Sequence, residues 1–424
     1  MRFDKAILVK NRSLSYAVFR NYLGFRFCLI LGLNMQITIV SYMLYQLTGD
    51  VLSLGKLGLW EAIPAIGCSF ISGHFVDNKN KKSLLIFCTV LYIFLAALYF
   101  FLVQPHFQEL WGYKLVENLI YTGTFIGGVL RAFLSPSAFS LLSQLVPRKL
   151  YPNATTWSST AWQTGAVAGP LFGGLALAAF GAGLSMILVV ILILTALFFI
   201  SKVPRQPILR TTFEPILKSL SEGFKFLFSK QLILSVLALD MFAVLFGGAV
   251  ALLPVFAKDI LKVGEVGYGW LRAAPGIGSI LTLMILTWLP LKKKAGQKML
   301  ISFAVFGLTI IVFGWSKSVY LSFAMLLIGG MFDAVSVVIR GTVLQLYTPD
   351  AMRGRVSAIN TMFISSSNEL GAAESGLTAK WFGTIPAVIF GGIMTMAVVG
   401  ITSLAAPKLR KLEFDEQVLN EKNI

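Results

Sequence analysis

Nine charged residues lie inside apolar segments of the chain, where a charge needs either a partner or a polar cavity. Each would cost about 2.5–3.5 kcal/mol at the centre of an isolated membrane helix. Such charges are typical of substrate and ion pathways, and the alternative is a set of static pairs that fasten helices together. The nine residues are Arg26, Glu61, Arg131, Asp240, Arg272, Asp333, Arg340, Glu369 and Glu374.

The second half of the chain repeats the first half with charges of opposite sign. Shifts of about 202 to 214 residues align charged positions of the first half with oppositely charged positions of the second. A duplicated membrane chain with charges near mid-membrane is typical of a secondary transporter. The matched pairs are Glu61 with Arg272, Arg131 with Asp333 and Arg26 with Asp240.

The buried acids are candidates for carrying a proton. If an Arg lies beside a carboxylate in only one conformation, the affinity of that carboxylate for a proton depends on conformation, as coupling to a gradient requires. Asp240, Asp333 and Glu369 are the preferred candidates, whereas Arg26 and Arg340 lie near helix ends, where they could snorkel to the interface. Neutral groups that could bind substrate at similar depth are Asn34, Gln36, Gln163, Ser365, Ser366 and Asn368.

Composition predicts an all-α membrane protein. Hydrophobic residues make up 56% of the chain and charged residues 13%, against roughly a quarter charged in soluble domains. Stretches of about 20 apolar residues, enough to cross a bilayer, recur along its whole length. The twelve predicted spans are 19–44, 54–75, 83–103, 117–142, 154–178, 182–202, 231–257, 266–290, 299–315, 319–345, 356–379 and 385–406.

The net charge of +17 is distributed as a membrane topology requires. With the N-terminus inside, 26 Lys and Arg fall in inside segments, 6 in outside loops and 4 within spans. This asymmetry predicts that both termini are cytoplasmic. Nucleic-acid binding is not expected, because no basic face stands apart from the membrane.

The chain lacks the residue patterns of enzymes and metal sites. Its three Cys and two His are too scattered for a metal site, and no nucleotide-binding or nucleophile motif is found. We therefore expect no cofactor, no metal and no enzymatic activity. The polar, basic start of the chain predicts no cleavable signal peptide.

The longest polar interruption divides the chain into two sets of six spans. The predicted domains are 1–202, a linker at 203–230, 231–406, and a cytoplasmic tail at 407–424. Apolar residues at helical spacing between Phe213 and Phe228 predict an amphipathic helix on the cytoplasmic surface. This helix either tethers the two halves or docks as a regulatory element.

Small residues form one face of the fifth predicted span. Gly165, Gly169 and Gly173 are spaced by four, with Pro170 beside them. Small faces let helices approach closely. The face provides either static packing or, on the functional interpretation, a seam with the eighth span that opens and closes.

The loop between the second and third spans resembles the signature loop of the major facilitator superfamily. Gly73 is followed four residues later by Asp77 and then by a basic cluster that includes Lys81 and Lys82. The resemblance implies that Asp77 binds the positive N-terminal end of the eleventh helix and holds a cytoplasmic gate, which a helix dipole can stabilise by about 0.3–1 kcal/mol. The loop departs from the usual pattern at Asn78 and Asn80.

Motifs along nearly the whole chain are similar to the branch that holds the enterobactin-type siderophore exporters and the macrolide efflux proteins. The resemblance implies two pseudo-symmetric six-helix bundles and a cavity lined by the first, fourth, seventh and tenth helices. It places Arg131 and Asp333 on that cavity, where we expect them to interact. The motifs are 19–22 (FRNY), 145–154 (LVPRKLYPNA), 169–170 (GP), 222–227 (EGFKFL) and 353–356 (RGRV).

These features predict a monomeric, multi-pass transporter of the bacterial inner membrane. It would export a small siderophore-like or amphiphilic drug-like molecule in exchange for protons, by alternating access between the two sides of the bilayer. Protons are favoured over sodium, because no Gly/Pro helix break is evident beside an acid to supply carbonyl ligands. A proton-coupled nutrient importer and a lipid flippase remain alternatives.

Overall fold

The computed structural model describes residues 13–77, 79–147, 150–207, 216–288 and 294–414, and these residues form helices and no strand. The chain divides into two compact units. The first comprises Met1–Thr48 and Ile63–Thr212, and the second comprises Gly49–Ala62 and Phe213–Ile424. The short segment Gly49–Ala62, which the sequence analysis assigned to the N-terminal domain, groups with the second unit.

Five long helices carry the chain as far as the linker. The fifth is interrupted at Gly181, whose φ of 71° and ψ of 175° are not helical, as expected at the glycine-containing turn between two predicted spans. The helices are α1 (Ala17–Thr48), α2 (Val51–Asp77), α3 (Lys81–Leu102), α4 (Tyr113–Leu145) and α5 (Tyr151–Ser201).

Seven further helices follow, beginning with the amphipathic one. They are α6 (Ile216–Ser229), α7 (Gln231–Phe246), α8 (Gly264–Trp288), α9 (Ala295–Trp315), α10 (Val319–Tyr347), α11 (Asp350–Phe382) and α12 (Thr384–Ala405).

Ten helices in the described part of the chain are long and apolar enough to cross a membrane. One of them, Asn153–Ser201, has 49 residues and contains the interruption at Gly181, so it is long enough to cross twice. Helix α11 is not among the ten. The all-helical membrane fold is confirmed, while the count of twelve spans stays a prediction.

The small-residue face of α5 packs against α1, within the first unit. A Cβ added at Gly169 would lie 2.5 Å from the Asn34 Cβ and 2.9 Å from the Leu31 carbonyl oxygen. Gly165 and Gly173 meet the same helix at Leu31 and Met35. This close approach agrees with the static-packing interpretation, whereas the seam with the eighth span, which belongs to the other unit, stays a prediction.

Helices α8 and α10 cross in direct backbone contact within the second unit. A Cβ added at Gly330 would lie 2.0 Å from the Pro275 carbonyl oxygen, and one at Gly278 would lie 2.0 Å from the Leu327 carbonyl oxygen. Ser279 Oγ also donates a hydrogen bond to the Gly330 carbonyl at 3.1 Å. These contacts hold α8 and α10 together at the crossing point.

We expect Gly330→Ala to destabilise the protein by about 1–3 kcal/mol, because the crossing has no room for a methyl group. Gly341→Ala is the matched control, since it is the same change in the same helix at a position with nothing within 4 Å. Thermal unfolding of the two purified variants in detergent measures the difference. Equal midpoints would show that the crossing tolerates a side chain.

The chain breaks its α-helical path after α7. Helix α7 ends at Phe246, and the path continues through a 3₁₀ turn (Ala249–Leu252), a short α-helical turn (Leu253–Val255) and a π-helical turn (Phe256–Ile260). The break falls at Gly247 and Gly248. The predicted span 231–257 lies within the membrane-length segment Gln231–Ile260, but its α-helix is interrupted at this glycine pair, a break that was not evident from the sequence.

The amphipathic helix α6 docks on α11. Arg355 Nη1 donates to Glu222 Oε2 at 2.5 Å, and the rings of Phe224 and Phe363 lie 6.4 Å apart. A Cβ on Gly223 would lie 2.8 Å from the Ile359 Cδ1 atom. Two of the motifs that carry the family resemblance, 222–227 and 353–356, thus contact each other.

Candidate functional site

A cavity of about 390 Å³ opens within the second unit, where α8, α9, α10 and α11 meet the broken segment after α7. Small residues at the break and on α10 make this space, because they carry no side chain to fill it. Its polar lining consists of Arg272, Thr309, Asp333 and Asn368, and its other lining residues include Gly247, Gly248, Pro275, Phe306, Gly329 and Gly330.

Asp333 lies at the midpoint of α10 and faces this cavity. No described Lys or Arg lies within 4.0 Å of its carboxylate, and no described group donates a hydrogen bond to it. Its backbone carbonyl accepts a bond from Ser336 Oγ at 2.7 Å. An acid in this position pays the cost of burying its charge unless a proton, an ion or a ligand neutralises it.

Arg272 enters the cavity from α8 and is oriented by its own helix. Its Nη1 donates to the Tyr268 hydroxyl at 2.8 Å, one turn earlier, and Tyr268 is fully buried. No described carboxylate lies within 4.0 Å of the guanidinium. Sequence analysis selected Arg272 but missed Tyr268, although the spacing of four residues could have indicated the contact.

Asp240 and Arg340 form a buried ion pair between α7 and α10. The Arg340 Nη1 atom donates to Asp240 Oδ2, and the two residues are 4% and 6% exposed. Arg340 therefore does not snorkel, contrary to expectation, because a partner is available inside the unit. Asp240 Oδ1 has no hydrogen-bond partner in the described part of the chain.

The remaining acids of the second unit lie outside this cavity lining. Glu369 is buried on α11, and the Glu374 Oε2 atom accepts a bond from Ser375 Oγ at 3.5 Å. Glu61 is half-buried in α2, in the segment that groups with the second unit. Of the sequence candidates in this unit, the structure thus brings Arg272, Asp333 and Asn368 together.

The candidates of the first unit have different surroundings. Arg26 Nε donates to the Ser158 carbonyl at 3.2 Å, and Asn34 Nδ2 donates to the Ile30 carbonyl at 2.9 Å. Gln36 is buried, and its Oε1 atom has no described partner. Arg131 is exposed and Gln163 half-buried. The proposed Arg131–Asp333 interaction stays a prediction, since the two residues belong to different units.

The loop after α2 is docked within the first unit. Asn80 accepts a bond from the Ser83 amide, which caps α3, and its Nδ2 atom donates to the Gln206 carbonyl at 2.8 Å. Lys82 Nζ donates to the Ser201 carbonyl at 2.8 Å, while Lys81 is buried. Asn80, one of the departures from the usual loop pattern, thus has a structural role as a helix cap.

The other predicted gate residues lie on α2 and α5. Gly73 and Asp77 belong to α2, which ends at Asp77, but their side-chain surroundings lie outside the described residues, as does Asn78. Pro170 is buried in α5 beside Gly169. A search of the described residues finds no group of His, Cys, Asp and Glu that could hold a metal ion.

Comparison with known proteins identifies the family. The family model described as "Transmembrane secretion effector" (MFS_3) matches residues 14–423. The chain is 21% identical over 391 residues to the uncharacterized MFS-type transporter YfmI of Bacillus subtilis, covering 89% of this chain and 94% of that protein. It is 29% identical over 234 residues to the enterobactin exporter EntS of Shigella flexneri, and this aligned region covers 55% of each protein.

Solved structures of transporters share the fold at low identity. A variant of the nucleoside transporter NupG gives a TM-score of 0.72 at 12% identity, covering 92% of this chain and 100% of that one. The POT family transporter PepTSo gives 0.68 at 13% identity, covering 93% and 98%. The chain therefore belongs to the transmembrane secretion effector family of the major facilitator superfamily, and it is a multi-pass membrane transporter of small molecules, not an enzyme.

Proposed function

We propose that the protein exports a small organic molecule from a bacterial cytoplasm in exchange for protons, by alternating access of a central site. The observation that carries the proposal is Asp333, a carboxylate at the middle of a membrane helix, facing a cavity and without a described cation partner. Export is supported by the similarity to EntS, which is named as an exporter. The inner membrane, cytoplasmic termini and a monomeric state belong to the same proposal.

Asp333 has the properties that a proton-exchanging group needs. Its charge is costly in the apolar cavity, so either a proton or the substrate can neutralise it, and the two compete when the substrate brings positive charge. Asp240 is a weaker candidate, because Arg340 already neutralises it. Asp333 therefore takes first place among the three acids, ahead of Glu369 and Asp240.

Sodium is the competing ion, since the break at Gly247 and Gly248 lines the cavity that holds Asp333. Backbone carbonyls freed at broken helices can coordinate sodium. Here the Gly247 and Gly248 carbonyls already accept hydrogen bonds from the Ala249 and Ala251 amides, at 2.8 and 3.1 Å. This local satisfaction favours the proton.

Everted vesicles from cells that produce the full chain test the proposal, with ethidium and a catecholate siderophore as transported probes. Uptake should collapse when a protonophore dissipates the pH gradient and should be unchanged when sodium is removed. Dependence on sodium alone would overturn proton exchange, and uptake only in right-side-out vesicles would identify an importer. Translocation of labelled phospholipid without a gradient would identify a flippase.

Asp333→Asn should lose at least tenfold of the uptake driven by a pH gradient, because the carboxylate that proton and substrate share is gone. Glu109→Gln, which removes an exposed carboxylate from the short helix Pro105–Trp111, is the matched control and should behave as the wild type. Asp240→Asn and Glu369→Gln are measured in the same way. If all three acid variants keep pH-driven uptake, the coupling group is another acid, and Glu374 and Glu61 are next.

A further inference from the structure

Two opposite charges face one cavity without neutralising each other. Arg272 on α8 and Asp333 on α10 both line it, yet no Arg272 nitrogen lies within 4.0 Å of an Asp333 carboxylate oxygen. They are the two charged members of the described lining. By contrast, Asp240 and Arg340 in the same unit do pair directly.

Unpaired opposite charges at this depth call for an explanation, because each costs free energy that direct pairing would offset. Tyr268 accepts only one of the five guanidinium hydrogens of Arg272, so the others remain available for a ligand. The Asp333 carboxylate has no described donor, so both of its oxygens remain available. The cavity therefore presents a forked donor and an acceptor to whatever enters it.

We propose that this cavity binds a zwitterionic small molecule, whose carboxylate contacts Arg272 and whose ammonium contacts Asp333. A guanidinium can hold a carboxylate through two parallel hydrogen bonds. A ligand with only one charge would leave the opposite cavity charge unsatisfied, and sites built to hydrogen-bond a polar group reject analogues that lack it.

The size and remaining lining fit a ligand of amino-acid or dipeptide dimensions. The volume of about 390 Å³ lies at the lower end of the range of small-molecule sites, roughly 300–1,000 Å³. Phe306 and Pro275 offer apolar surface for a side chain, whereas Asn368 and Thr309 offer neutral polar atoms.

The inference rests on the proposed function and specifies how proton binding is coupled to substrate binding. A proton on Asp333 removes the charge that attracts the ligand ammonium, so proton and zwitterion compete for one carboxylate, as exchange requires. A substrate with a carboxylate but no ammonium would instead bind best when Asp333 is protonated, which would give cotransport. The charge of the bound molecule thus decides the sense of coupling.

Isothermal titration of the purified full chain with three probes of one skeleton tests the inference. The probes are phenylalanine (zwitterion), phenethylamine (cation) and 3-phenylpropionate (anion). We expect phenylalanine to bind at least tenfold more tightly than either single-charge probe. In Asp333→Asn it should bind no better than 3-phenylpropionate, and in Arg272→Gln no better than phenethylamine.

Glu265→Gln is the matched control, because it removes a charge from the first turn of the same helix α8, away from the cavity lining. It should preserve the preference for the zwitterion.

The inference is overturned if a single-charge probe binds as tightly as phenylalanine, or if neither phenylalanine nor the dipeptide Ala-Phe binds. Ethidium uptake in everted vesicles is scored separately, so proton-driven uptake without zwitterion binding overturns this inference alone. Zwitterion binding without gradient-driven uptake overturns the proposed exchange alone.

Discussion

Replacing Asp240 by Asn is expected to lower the free energy of unfolding by about 3–5 kcal/mol, because Arg340 would be left buried without its counter-charge. Arg340→Gln should cost a similar amount by leaving Asp240 uncompensated between α7 and α10. The double variant Asp240→Leu with Arg340→Met should recover most of the loss, since apolar residues of similar size need no partner. Denaturant unfolding of the purified variants gives the three values.

The pair Glu222–Arg355 is a matched comparison in the same unit. Its side chains are 39% and 21% exposed, so water already stabilises the charges. Removing Glu222 or Arg355 should therefore cost no more than about 1 kcal/mol. If Asp240→Asn is as stable as Glu222→Gln, burial adds nothing to the stabilisation by the Asp240–Arg340 pair, and the reason for ranking Asp240 below Asp333 is lost.

Asp77→Asn is expected to reduce transport to background without reducing expression, because the gate role implied by the signature loop needs a negative charge. A carboxylate at a helix N-terminus contributes about 0.3–1 kcal/mol, and up to ~2 when partly buried, whereas the neutral amide loses the charge-dipole attraction. Initial rates of ethidium uptake in everted vesicles, normalised to the amount of protein in the membrane, measure the effect.

Asn80→Ala is the control that separates charge from loop structure. It removes the α3 cap and the contact to the Gln206 carbonyl, and helix caps contribute about 1 kcal/mol. We expect lower thermal stability with transport largely retained. Wild-type uptake by a well-expressed Asp77→Asn variant would reject the gate role, and equal loss in both variants would assign the effect to loop structure.

Features that depend on local composition were predictable from the sequence. The start and end of most helices fall within a few residues of the predicted spans, as for 83–103 against α3 at Lys81–Leu102 and 319–345 against α10 at Val319–Tyr347. A run of apolar residues determines a membrane helix by itself, since the bilayer leaves the backbone no other way to satisfy its hydrogen bonds. Family membership was also predictable, because the motifs that carry it are short and contiguous in the sequence.

Features that depend on the rotation and neighbours of each helix were decided by the tertiary structure. The sequence identified nine charges inside apolar segments but could not show that Asp240 pairs with Arg340, 100 residues away, while Arg272 and Asp333 stay apart around a cavity. It identified the small face of α5 but not α1 as its partner, and it missed the break after α7. Each of these depends on which faces of two distant helices meet, and that is determined by packing over the whole unit, not by spacing within one segment.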